Sequence, residues 1–152
     1  MSPRINYTTA APEAFQAMLA ISQYVDGCGL EHSLMELVKT RASQINGCAF
    51  CIDMHTRDAR AAGEREERLY LLSAWRESKL YTPRERAALA WTDAMTTLDD
   101  HDALSEAFDD VRSLFTEDET VKLALAIGVI NVWNRINVGF QVEPPVIQAK
   151  AS

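Results

Sequence analysis

Helix starts and stops recur along the whole chain and strand-like alternation is nearly absent, which restricts it to an all-α fold. Thr82-Pro83-Arg84-Glu85 sets a capping threonine before a proline at the first helical position, with a glutamate three residues after the cap. Thr116-Glu117-Asp118-Glu119 repeats the box and gathers carboxylates where the helix dipole favours them. Upstream, Phe15, Met18, Leu19 and Ser22, extended by Tyr24 and Val25, predict a helix from Pro12 to Val25 that stops at Gly27-Cys28-Gly29. Leu34, Leu37, Val38, Ala42 and Ile45 predict a second, closed by Asn46-Gly47. A third starts at about Cys48 and runs to Ala62, with Gly63 as its stop, and a fourth covers Glu66 to Trp75 with Leu69, Leu72 and Trp75 inward. The helix opened at Thr82 uses Ala88, Trp91, Met95 and Leu98, and the next begins at Ser105 with Phe108, Val111 and Leu114. The last, from the Thr116 box to about Asn137, is apolar nearly all round and is expected to be the central buried helix. Glu143-Pro144-Pro145 reads as extended. The expectation is one all-α domain over residues 1–152, a compact bundle of six to seven helices.

Composition narrows the function classes. At 152 residues the chain is long enough for one domain with a proper core. Its net charge of -7 argues against nucleic acid and against an anionic membrane surface. The longest apolar run, Val121 to Phe140, is broken by Lys122, Asn131, Asn134, Arg135 and Asn137, too many polar groups for a bilayer span. Met1-Ser-Pro-Arg-Ile-Asn-Tyr7 has no apolar signal core, and three cysteines, two in one tight motif, are not a secreted disulfide framework. A reducing cytoplasm is the expected location.

The chemistry concentrates between Glu36 and His55. Cys48 and Cys51 form a Cys-x-x-Cys pair, with a histidine four residues later and a glutamate twelve residues earlier. On a helix Cys48, Cys51, Ile52 and His55 share one face. At a helix start, free N–H groups and the dipole favour thiolate over thiol, and such a cysteine can drop from about 8.5 to 7 or lower. His55 can take up a proton, and Glu36 can orient it. By that local argument Cys48, nearer the helix end, is the more acidic thiol. A zinc site would draw on the same Cys48, Cys51 and His55 with Glu36 as fourth ligand. Structural zinc usually needs a second ligand pair, however, and the third cysteine, Cys28, is isolated. Covalent haem needs histidine directly after the second cysteine, where Ile52 stands. No cofactor and no metal are expected.

The spacing Glu36-x11-Cys48-x-x-Cys51-x-x-x-His55 resembles that of alkylhydroperoxidase D-like (AhpD-like) proteins in the carboxymuconolactone decarboxylase superfamily. The resemblance runs through Asn46-Gly47-Cys48-Ala-Phe-Cys51 to Gly63 and on to Leu72-Ser-Ala-Trp75. It returns at Thr82-Pro83-Arg84-Glu85-Arg86-Ala87 and at Asn131-Val-Trp-Asn134-Arg135, covering a core of about residues 12–142. It implies an all-α homo-oligomer, a trimer or hexamer, that reduces hydrogen peroxide or organic hydroperoxides. It further implies Cys51 as peroxidatic nucleophile, Cys48 as resolving thiol, and His55 and Glu36 as proton relay. An external dithiol, such as a lipoyl-bearing protein, would restore the thiols. One position departs: the best-studied members of the family carry an extra histidine just before the second cysteine, where this chain has Phe50.

Two other functions compete with this one. A lactone decarboxylase, as in the name-giving branch, would not need two thiols, and a non-catalytic redox-sensing oligomer would form the disulfide without turnover. Outside the motif, Cys28 reads as incidental, His32 and His101 as exposed, and Trp75, Trp91 and Trp133 as core. Asp53 and Arg57 read as a helix-supporting pair at i, i+4. Asn134 and Arg135 are open between helix-end contacts, an oligomer contact and the site lining.

Overall fold

A computed structural model of the chain describes residues 3–145, so the expected span 1–152 reaches past the described residues at both ends. Among them are eight α-helices, one 3-10 helix and no strand. The helices are α1 (Tyr7–Ala10), α2 (Pro12–Asp26), α3 (His32–Ile45), α4 (Ala49–Ala61), α5 (Glu66–Tyr70), α6 (Pro83–Thr97), α7 (His101–Leu114) and α8 (Glu117–Gly139), with the 3-10 segment Leu72–Glu77 after α5. The all-α expectation is met. None of the described helices is long and apolar enough to cross a membrane.

Both capping boxes form, and each is tied to another part of the bundle. The Thr82 hydroxyl accepts from the Glu85 N–H, while Glu85 accepts from the Thr82 N–H at 2.8 Å and from Arg68 at 2.6 Å. The Thr116 box closes the same way, and its Glu119 accepts from Arg84, which also binds Glu31 at 2.8 Å and the Leu114 carbonyl. A local cap thus becomes a long-range tie, and the two most legible helix starts are also joints of the tertiary structure.

The central helix is α3 rather than α8. Helix α3 packs against α4, α6, α8 and the 3-10 segment, and Leu34, Met35, Glu36, Leu37, Val38, Thr40, Ala42 and Ser43 are buried around most of its circumference. Each fully buried leucine there contributes about 1.5–3 kcal/mol. Helix α8 buries Leu123, Ala126, Ile127, Val129 and Ile130 on one side but leaves Val121 68% exposed and Val132 and Val138 partly so. Its apolar residues surround the axis, but neighbours cover only part of it.

Other differences from the sequence reading have local causes. Residues 66–75 do not form one helix, because α5 ends at Tyr70 and a 3-10 turn follows, with Ala74 off helical geometry. Leu69, Leu72 and Trp75 recur every three residues, the period of a 3-10 face. Helix α7 starts at His101 instead of Ser105, since Asp100 caps it by accepting from the Asp102 and Ala103 N–H groups. It turns Ala107 and Val111 inward and leaves Phe108 and Leu114 outside. Leu98 is not a core residue; it ends α6 in the left-handed conformation (φ 56°) and is exposed. Helix α1, four residues long and with nothing buried, carries no apolar periodicity that the sequence could display. Glu143 to Pro145 form neither helix nor strand.

Candidate functional site

Helices α3 and α4 run as neighbours joined by the short turn Asn46-Gly47-Cys48. Gly47 takes φ +66°, which a side chain rarely adopts and glycine adopts freely. The turn is pinned from below. Asn46 donates its amide to Asn131 Oδ1 (3.0 Å) and Asn134 Oδ1 (2.9 Å), Asn134 donates to Ser43 Oγ (2.9 Å), and the Cys48 N–H donates to the Ser43 carbonyl (2.9 Å). Asn134 therefore ties the side chains of Asn46 and Ser43 and holds the loop that presents Cys48. Arg135 stays on the surface, bonded to Asn131 on its own helix.

Cys48 is the N-cap of α4 rather than its first helical residue, and its sulfur accepts from the Cys51 N–H at 3.3 Å. Cys48 and Cys51 are joined as a disulfide, with Cα atoms 5.4 Å apart. Both are buried, in a small apolar cluster with Ala42 and Ile130. Phe50 packs against that cluster, so the position before the second cysteine makes an apolar contact. The Cys51 sulfur accepts from Asn137 Nδ2 at 3.4 Å, and Asn137 Oδ1 in turn accepts from the Tyr7 hydroxyl at 3.4 Å.

One helical turn beyond Cys51, His55 meets Glu36 across the α3–α4 interface, Nδ1 to Oε2 at 2.9 Å, with both residues buried. With Nδ1–H donating to a carboxylate, Nε2 carries the lone pair of the neutral ring. The second Glu36 oxygen faces Lys39 Nζ at 3.4 Å and His32 Nε2 at 4.0 Å. Burial pushes the Glu36 carboxyl up. The hydrogen bond and charge of His55, with the charges of Lys39 and His32, outweigh it and hold the group below its ordinary 4.5. No hydrogen bond links His55 to either cysteine among the described residues, so a proton moving between them needs a bridging water or substrate atom.

Two further residues of α3 join the site. Lys39 stands at i+3 and His32 at i−4 from Glu36, a helical spacing that is the one sequence signal for either. His32 is exposed, as expected, yet it faces the carboxylate all the same. Trp133 is not simply core. It donates to Ser22 Oγ at 2.9 Å and, with Val25, Met54, Val129 and Ile130, lines a cavity of about 110 Å³ into which His55 and Lys39 project. A cleft of about 1010 Å³ around α6 and α7 is lined by none of Glu36, Cys48, Cys51 or His55. Glu36, His55 and the exposed Asp58 bring ligand atoms within 4.8 Å of one another, a spacing a divalent cation could use, although the Lys39 ammonium opposes one there. Cys28 is a free, half-buried thiol in the α2–α3 loop, and Asp53 pairs with Arg57 at 2.8 Å along α4.

Fold and site together define an all-α protein with a buried Cys-x-x-Cys disulfide backed by a carboxylate–imidazole pair. The sequence profile of the carboxymuconolactone decarboxylase family matches residues 12–94. YdfG of Bacillus subtilis, an uncharacterized protein, is 43% identical over 138 residues, 91% of this chain and 94% of its own length. Among solved structures, Atu0492 of Agrobacterium tumefaciens is 50% identical, superposes with a TM-score of 0.92 and is covered over 96% of this chain and 100% of that one. It is described as a protein of unknown function and a candidate AhpD in antioxidant defence. The debrominase Bmp8 superposes with a TM-score of 0.80 at 20% identity over 91% of this chain and 74% of that one, a likeness of fold alone. The chain belongs to the carboxymuconolactone decarboxylase family, as an AhpD-like member.

Proposed function

We propose that this protein is a thiol-dependent peroxidase of the alkylhydroperoxidase type, reducing hydrogen peroxide or organic hydroperoxides through the Cys48–Cys51 pair. The observation that carries the reading is the buried 2.9 Å contact between Glu36 and His55, one turn from a Cys-x-x-Cys whose two sulfurs are within bonding reach. Glu36 fixes the imidazole with Nε2 as the base, and His55 helps deprotonate Cys51 through a bridging water or the substrate itself. The Cys51 thiolate attacks the distal peroxide oxygen, the O–O bond breaks, and the alcohol or water leaves with the proton His55 returns. The resulting sulfenic acid condenses with the Cys48 thiol to give the disulfide and water. An external dithiol, such as a lipoyl-bearing protein, then restores both thiols. Phe50 leaves His55 as the one imidazole of the relay. The cavity beside His55, about 110 Å³, has room for several water-sized groups, enough for a small hydroperoxide.

The same reading takes residues 1–152 as one domain with its core at about 12–142, acting in a reducing cytoplasm. It takes the molecule as a homo-oligomer, trimer or hexamer. The test is peroxide consumption by the reduced protein, with and without dithiothreitol or dihydrolipoamide. We expect two thiols lost per chain in a single turnover, steady turnover once dithiol is supplied, and a fall of at least about 100-fold in Cys51→Ser. Full activity in Cys51→Ser would remove Cys51 from its assigned role, and single-turnover oxidation with no steady turnover would leave a sensor.

A further inference from the structure

His55 and Cys48 face different spaces. The cavity of about 110 Å³ at His55 lies among α2, α3, α4 and α8. Cys48 instead borders a groove of about 290 Å³ at the C-terminal end of α8, walled by Gly47, Ala49, Val138, Val142 and Asn137, and the two spaces share no lining residue. Of the two disulfide-bonded residues only Cys48 lines the groove, although it is just 1% exposed. A flat protein face cannot reach a sulfur so recessed. A small dithiol, free or carried on a slender arm, can. Asn137 connects groove and disulfide, since it lines the former and donates to the Cys51 sulfur, 86 residues away in sequence.

We propose that this groove is the binding site for the reducing dithiol, that the dithiol attacks Cys48, and that Asn137 receives the Cys51 sulfur as it departs. The inference rests on the dithiol–disulfide cycle proposed above but not on the identity of the oxidant. One thiolate of the ligand forms a bond to Cys48 Sγ, the Cys48–Cys51 bond breaks, and its electron pair leaves on Cys51 Sγ. That thiolate accepts the Asn137 N–H, now a charge-assisted hydrogen bond, which lowers the pKa of the leaving group and speeds its departure. The second thiol of the ligand then attacks the ligand sulfur of the mixed disulfide and closes the ligand's own disulfide. Cys48 leaves as a thiolate toward the Cys51 N–H, which already points at its sulfur at 3.3 Å. The two protons of the dithiol end on Cys48 and Cys51, and two electrons have passed to the protein. Asn137 is thus a catalytic residue of the reductive half-reaction, and the apolar walls at Ala49, Val138 and Val142 suit the stem of the ligand.

The regiochemistry is directly readable without peroxide. The oxidised protein is mixed briefly with N-acetylcysteamine, quenched with iodoacetamide, and the tryptic peptide Ala42–Arg57 is fragmented in a mass spectrometer. We expect the cysteamine adduct on Cys48 and the carbamidomethyl group on Cys51, in at least about ninefold excess over the reverse. The adduct on Cys51 would overturn the proposal, whatever the protein does with peroxide. For the groove, Val138→Trp should slow disulfide reduction by dihydrolipoamide at least about tenfold, while Val132→Trp, on the same helix outside the groove, reduces at the parent rate. Equal rates in the two variants would refute the location. For Asn137, the pH profile of Cys51 alkylation is measured in a Cys48→Ser background. Its midpoint should move upward in Asn137→Leu and in Asn137→Asp, the latter keeping the size of the side chain and an acceptor for Tyr7. A midpoint that stays in place in a folded variant would remove Asn137 from the step.

Discussion

Two carboxylates in this molecule hold similar positions and have different partners. Glu85, on α6, accepts from the Thr82 backbone N–H and from Arg68, whose guanidinium also binds Glu64 and the Leu80 carbonyl and lies over the Tyr81 ring. Glu36, on α3, accepts from His55 and faces Lys39 and His32. Both are shielded from water and both are paired. The partners of Glu85 hold their protons at any pH the protein meets, so that cluster can only fasten α5, the loop before α6 and α6 together. The main partner of Glu36 is an imidazole, whose two ring nitrogens can serve one as donor and the other as acceptor. What sets the proposed site apart is therefore a partner with both a donor and an acceptor nitrogen, together with the disulfide one turn away.

That contrast is breakable by exchanging which cluster is damaged. Glu36→Gln keeps the size of the side chain but removes the charge that fixes and supports the His55 imidazole. We expect peroxide turnover with dihydrolipoamide to fall at least about tenfold, the low end for loss of general acid–base assistance. Far-ultraviolet circular dichroism should stay that of the parent. Turnover equal to the parent would mean that the Glu36–His55 contact is only structural. Arg68→Met should do the opposite. Removing the guanidinium leaves two shielded carboxylates, Glu64 and Glu85, without their charged partner and should cost about 1–3 kcal/mol in urea unfolding. Turnover per folded molecule should remain at the parent value. If Arg68→Met lost turnover while keeping stability, the two clusters would not divide the labour as their partners suggest.

How much of this is legible in the sequence depends on the range of each interaction. The boxes at Thr82 and Thr116 are set by residues three apart, and the sequence alone places both correctly. The 3-10 turn at Leu72–Glu77 is hidden because its three-residue spacing also fits one flank of an α-helix. The centrality of α3 is hidden because mean hydropathy does not say which helix ends up surrounded. Helix α3 carries Glu36, Thr40, Ser43 and Lys39 among its apolar residues, and Glu36 and Ser43 meet their partners on other helices only after folding. Within the site, spacing and family resemblance together point to Glu36, Cys48, Cys51 and His55, and the structure brings Glu36 onto His55. Asn137 is out of reach: only the packing of α8 on α4 brings its amide to the Cys51 sulfur. A polar residue on an apolar helix is the available signal, and Asn131, Asn134 and Arg135 on the same helix carry it equally.

The smallest effect that separates the clusters is in acid. The folded-state pKa of Glu36 lies below its ordinary value of 4.5, because His55, Lys39 and His32 together outweigh burial. As pH falls, the unfolded chain takes up the Glu36 proton first, so the folded state is increasingly disfavoured. The contribution of Glu36 is complete above about pH 4.5 and is lost as pH falls through the depressed folded value. Glu36→Gln has no such proton to bind, so its urea midpoint should decline less steeply than the parent's between pH 5 and pH 3. The measurement is a set of urea titrations at half-unit steps across that window. Parallel declines would show that the charges around Glu36 do not favour its ionised form in the folded protein, which would also take away the reason for expecting the carboxylate to hold His55 poised beside the disulfide.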